Sequence, residues 1–155
     1  MNLKLNSVLF LIKLLEDSRT ELYIKMRDEN YSMWQILDFV NGYTSVIRSC
    51  DRIVCDKVHT PDRYDEIIFE DYSDMMNSFD VLLRIIYDDK DSYSGWEILG
   101  AKYALCLIKY YIIHVIFGDV TEVCDLYLSL PDRYEPNSYE WDERGWDYDF
   151  FNEDI

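Results

Sequence analysis

The sequence predicts an all-α fold: a single-domain bundle of five to six helices over residues 1–155, with an internal twofold repeat and an aromatic-acidic C-terminal tail. Three observations predict it. Proline and glycine are scarce, at 3 and 5 in 155 residues, which favours long uninterrupted helices over a turn-rich β architecture. Apolar residues recur at helical spacing through most of the chain. A set of motifs also occurs twice in the same order. Glu29-Asn30-Tyr31-Ser32-Met33-Trp34-Gln35-Ile36-Leu37 matches Asp91-Ser92-Tyr93-Ser94-Gly95-Trp96-Glu97-Ile98-Leu99 apart from Met33 against Gly95. Pro61-Asp62-Arg63-Tyr64-Asp65 matches Pro131-Asp132-Arg133-Tyr134-Glu135, each preceded by a cysteine, Cys55 and Cys124. Leu11 to Asp17 resembles Leu82 to Asp88, so the units fall at about residues 5–64 and 78–135, with the tail at 136–155.

Taken in order, the first helix is expected from about Leu5 to Ser18, with a separate short helix around Glu21 to Arg27 as the possible sixth. Ser32 with Gln35, and Ser94 with Glu97, have capping-box spacing, in which a hydroxyl and the third-residue side chain satisfy opposite orphan amides. Each should start a helix. After Ser32 the apolar positions Ile36, Phe39, Val40, Tyr43, Val46, Ile47, Cys50, Ile53 and Val54 form one long stripe, closed by Pro61 because the residue before proline resists helical geometry. Thr60 and Pro61 equally suit the start of the next helix. That next helix is expected from Tyr64 to Tyr87, burying Ile68, Tyr72, Met75, Met76, Phe79, Leu82, Leu83 and Ile86. The helix after Ser94 is apolar all round through Trp96, Leu99, Tyr103, Leu107, Tyr110 and His114, which places it at the bundle centre. Lys109 and His114 interrupt its most apolar run, so a buried helix is expected and not a membrane span. Gly118 ends it, and Asp119 with Glu122 caps a short helix carrying Val120, Val123, Cys124, Tyr127 and Leu130. From Pro131 onward no helical period survives.

The chain carries a formal charge of −16, unevenly distributed. Residues 1–61 balance their acids and bases, whereas residues 62–91 and 132–155 hold nearly all the excess. Lysine and arginine supply the contacts that dominate binding to phosphates and anionic lipid, so direct nucleic-acid or membrane-surface binding is disfavoured and a basic protein partner is favoured. The four cysteines, Cys50, Cys55, Cys106 and Cys124, lie in apolar helical patterns and read as reduced core thiols. With no cleavage-site pattern at the amino terminus, a cytoplasmic location is expected.

Catalytic chemistry is not expected. His59 and His114 stand near no nucleophile pattern, and His114 reads as a satisfied core residue. There is no phosphate-cradling glycine loop, no Cys-x-x-Cys and no Glu-x-x-His. Cys55 and His59, one helical turn apart with Cys50 nearby, make three zinc ligands without a fourth, so no metal and no other cofactor is expected. Binding chemistry is better represented. Asp62, Glu66, Glu70 and Asp74 recur every four residues, which on a helix sets four carboxylates in one row with Asp71 alongside. A solvated face accounts for such a run equally well. The tail adds Trp141, Trp146 and Tyr148, with Phe150 and Phe151, among Glu140, Asp142, Asp147 and Asp149. Aromatics anchor interfaces and carboxylates steer basic partners and pair with arginine, although some of these rings are expected to staple the tail to the bundle.

Tyr93-Ser94-Gly95-Trp96-Glu97 is similar to the aromatic-glycine-aromatic helix starts of some acidic helical immunity proteins from colicin-type and polymorphic toxin systems, which the chain also resembles in bulk composition. The resemblance implies a protein that inhibits a nuclease toxin by covering its basic groove. Two alternatives remain open on sequence: a phage or plasmid nucleic-acid mimic that blocks a defence enzyme, and a viral helical-bundle regulator that binds a host helix in an apolar groove.

Overall fold

The computed structural model describes residues 2–59, 62–79 and 93–116, and the chain is mostly helical with one very small sheet. Strand β1 is Leu3–Lys4, followed directly by helix α1 at Leu5–Asp28 and helix α2 at Met33–Lys57. Strand β2 is Ile67–Phe69, residues 72–79 are helical (α3), and helix α4 is Gly95–Tyr111, continued by a wider π-type turn at Ile112–Ile116.

Helix α1 runs unbroken through the point where the sequence suggested two helices. The reason lies in its hydroxyls. Thr20 Oγ1 donates back to the Glu16 carbonyl, 3.4 Å away, and the buried Ser18 hydroxyl pairs with the Tyr111 hydroxyl of α4. Both polar groups are thereby satisfied within a continuous helix. Asn30, at φ 66°, then adopts the left-handed conformation in the turn that leads to α2.

Both expected capping boxes form. The Gln35 amide donates to Ser32 Oγ at 3.4 Å while the Ser32 amide donates to Gln35 Oε1 at 3.0 Å. At α4 the Glu97 amide donates to Ser94 Oγ at 3.1 Å and the Ser94 amide to Glu97 Oε1 at 3.5 Å. Helix α2 buries the predicted stripe at Ile36, Phe39, Tyr43, Val46, Ile47 and Cys50.

Helix α4 is buried on most sides of its middle turns, through Ala101, Ala104, Leu105, Leu107 and Ile108, with Lys102, Cys106 and Tyr110 partly exposed along one face. From Gly95 to Ile116 it is long and apolar enough to cross a membrane by length and composition, and most of it is covered by the rest of the protein. It packs backbone to backbone on α2. A Cβ built on Gly42 would collide with the Glu97 carbonyl, and one on Gly100 with the Phe39 carbonyl, so each glycine admits the partner helix three residues before the other glycine. Tyr43 reaches from α2 to α1, donating to the Leu15 carbonyl at 2.8 Å. Burial pushes the Tyr43 phenol well above its ordinary value, as it does Tyr103, and Tyr111 up to about 12. These phenols therefore stay neutral, and Tyr43 and Tyr111 act as hydrogen-bonding struts.

The expected helix from Tyr64 to Tyr87 is the main correction. Residues 67–69 form a strand antiparallel to β1, pairing Leu3 with Phe69 and Lys4 with Ile67. The Leu5 and Asn6 amides extend the contact, donating to the Glu66 and Tyr64 carbonyls at 2.7 and 2.9 Å. Three consecutive bulky residues, Ile67-Ile68-Phe69, suit an extended strand better than a helix face. Lys57 closes over this strand, its ammonium 3.4 Å from the Ile68 carbonyl and 4.7 Å from the Phe69 ring centroid. Helix begins only at residue 72. The expected core residues Ile68, Tyr72, Met75, Met76 and Phe79 are all buried nonetheless. The expected helical segments beyond residues 79 and 116 lie outside the described residues.

Candidate interaction surface

The carboxylate row does not exist as a helical row. Asp62 lies in the turn before β2, Glu66 at its edge, and Glu70 and Asp71 in the bend after it; only Asp74 is in a helix. Several of these acids have local backbone work. Asp71 Oδ1 accepts from the Asp74 amide at 2.7 Å and caps α3. Asp74 Oδ2 accepts from the Glu70 amide at 3.0 Å, and Glu66 Oε1 accepts from the His59 amide at 3.2 Å. The every-fourth spacing in the sequence is thus bridged by a strand, and the acids near α3 start a helix instead of forming a stripe along one. Asp62 and Glu70 keep exposed side chains. The other expected contact residues, Glu140, Trp141, Asp142, Trp146, Asp147, Tyr148 and Asp149, lie outside the described residues.

Two further expectations change. Cys55 is exposed on α2 and Cys106 partly so, leaving Cys50 as the buried thiol of the three described, all of them free. Burial raises Cys50 to about 12 and Cys106 to about 11, so both remain thiols at neutral pH. His114 is exposed in the π-type turn, with its ring 4.7 Å from that of Tyr110, and is not a core residue. Among the described residues no group of three or more His, Cys, Asp or Glu side chains is arranged to hold a metal.

An unforeseen surface lies at the start of α2. Met33, Trp34 and Leu37 are 53, 56 and 50% exposed, and their spacing puts them together on the first turns of one helix. Their counterparts in the second unit behave oppositely. Trp96 is 3% exposed, with its ring set edge-on to Tyr31 at 5.8 Å and 84°. The signal was present in the sequence: Trp34 and Leu37 fall off the stripe defined by Ile36, Phe39 and Tyr43.

Acidic groups adjoin this apolar face. Asp38 follows Leu37 on the same helix, and its Oδ2 accepts from the Ser94 hydroxyl at 2.9 Å, which carries it to the start of α4. Glu97 stands there too. Its carboxyl is raised above the ordinary range, first by partial burial and then by the negative field of Asp38, against the lowering effect of its bond at Ser94. The exposed ion pairs Arg27–Asp28 and Arg63–Asp65 do not reach Asp38 or Glu97.

The chain matches no protein-family model, no curated protein and no solved structure.

Proposed function

We propose that the protein is an acidic binding protein that inhibits a basic protein partner, in the manner of a cytoplasmic immunity protein neutralising a nuclease toxin. The observation that carries the reading is the charge of −16, against which the ion pairs Arg27–Asp28 and Arg63–Asp65 are both exposed. Exposed pairs of that kind neutralise little of the surrounding field. The remaining negative potential draws in a cationic protein and speeds its encounter. The same reading takes the described helices as part of a five- to six-helix bundle with a twofold repeat. The two capping boxes and the reciprocal glycine contact between α2 and α4 support it.

Nucleic-acid mimicry is supported less, because it calls for carboxylates at regular phosphate-like spacing and the longest such run is interrupted by β2. A regulator that receives a partner helix gains support from the exposed apolar start of α2.

The test is inhibition and binding measured against a panel of basic nuclease toxin domains at increasing salt. An inhibitor working through charge binds one of them tightly at low salt and loses affinity steeply as salt rises. The double variant Asp62→Lys with Glu70→Lys slows association. Absence of inhibition across the panel, or an affinity indifferent to salt, sinks the proposal.

A further inference from the structure

We propose that the start of α2 is the docking face for that basic partner, and that it receives a cationic amphipathic segment. One apolar side chain of the segment seats against Trp34 and Leu37, and a lysine or arginine reaches Asp38 and Glu97. The inference rests on the basic-partner reading and adds a location and a mode of contact to it.

The two tryptophans of the repeated motif have opposite surroundings. Trp96 serves the core, buried against Tyr31. Trp34 occupies the same place in the repeated motif, yet half or more of its surface meets solvent, as does that of Met33 and Leu37 beside it. The fold does not use these three side chains to fill its interior. Contiguous exposed apolar residues rimmed by polar ones mark contact sites, and tryptophan is among the side chains that most often anchor them.

The acidic half selects the occupant. Asp38 and Glu97 come from different helices and are drawn together by Ser94, whose hydroxyl donates to Asp38 Oδ2 and whose backbone amide donates to Glu97 Oε1. Two carboxylates held close repel one another, and no described ion pair relieves them. A guanidinium or ammonium from outside would do so beside an apolar surface that excludes water, where such a contact is strengthened. A second copy of this chain is a poor occupant, since it would bring another −16 of charge to the same face.

The probe is a labelled synthetic amphipathic peptide of leucine and lysine, titrated against the full chain, with two controls in which leucine is replaced by serine or lysine by glutamate. The parent peptide should bind best, with affinity falling as salt rises. Trp34→Ala with Leu37→Ala should weaken it about tenfold or more. Asp38→Asn with Glu97→Gln should slow association and flatten the salt dependence. Asp62→Asn with Glu70→Gln, which removes two charges away from the apolar face, should slow association less than Asp38→Asn with Glu97→Gln does. Circular dichroism melts establish that each variant is folded, and Trp34→Gln alone serves if the double apolar variant is not.

Binding that survives loss of Trp34 and Leu37 overturns the site while leaving the basic-partner reading standing. Failure of the parent peptide and of every basic nuclease to bind removes both. Concentration-dependent dimerisation abolished by Trp34→Ala would give the face to a second copy. Peptide binding that appears only after deletion of residues 136–155 would give it to the chain's own tail. Either of these last results also overturns the proposal.

Discussion

The starts of α2 and α4 use one local design for two purposes. Both open with a tyrosine, a serine cap and a tryptophan, and both close the reciprocal capping box. At α4 the tryptophan and the glycine before it are buried; at α2 the tryptophan and the methionine before it face outward. Helix initiation is therefore encoded by side chains within four residues of the cap, whereas burial depends on what the rest of the chain brings alongside. The one non-conservative difference in the repeated motif, Met33 against Gly95, falls where the two environments diverge.

That contrast can be broken most severely at the tryptophans. Trp96→Ala should cost about 3–5 kcal/mol through the cavity it leaves, while Trp34→Ala should change stability by no more than about 0.5 kcal/mol. Paired denaturant titrations compare them directly, and similar losses would mean that Trp34 supports the fold. Next come the glycines at the contact between the two helices. Gly42→Ala and Gly100→Ala should each destabilise by about 1–3 kcal/mol, because the added methyl meets backbone that has no rotamer in which to yield. A fully stable Gly100→Ala protein would show that the helices separate at little cost.

Removing the caps probes the shared part of the design. Ser32→Ala and Ser94→Ala should each cost about 1 kcal/mol, with the larger loss at Ser94, whose hydroxyl also holds Asp38. Equal losses in urea titration would deprive the Ser94–Asp38 bond of any weight. The smallest effect is expected at Glu97→Gln, which gives α4 the capping residue that α2 already has in Gln35. The Glu97 carboxyl is raised in the folded protein. The fold thus favours its protonated form, and stability declines as pH rises through the folded value. Thermal melts should coincide for variant and wild type in acid and separate towards neutral pH, with the glutamine protein the more stable.

What the sequence discloses follows the range of the interaction concerned. Capping boxes act over three residues and a helix stripe over a few turns, so the starts of α2 and α4 and the buried face of α2 could be read directly. The acidic row could not. Its spacing fits a helix, but Ile67-Ile68-Phe69 finds a strand partner at Leu3–Lys4, more than sixty positions away, and no local pattern announces that pairing. The continuity of α1 past Ser18 likewise depends on a distant partner, the Tyr111 hydroxyl. Cys55 and His114 looked like core residues because their neighbours are apolar, yet both emerge on the outer side of their segments. For the proposed site, Asp38 and Glu97 lie far apart in sequence and meet only once α2 and α4 have packed.

The antiparallel pairing of β1 with β2 also bears on the order in which the molecule assembles. Helices α1 and α2 are joined by a tight turn, so their contacts form between near neighbours in the chain. Zipping the first strand to the second must close a much longer loop, and the entropy of that closure favours its formation after the hairpin of helices is in place. The Leu5 and Asn6 amides, which donate across this junction to Glu66 and Tyr64, become reporters of its opening. Their exchange with deuterated solvent should be faster than that of amides in the middle of α4, marking the amino-terminal strand as opening before that helix does.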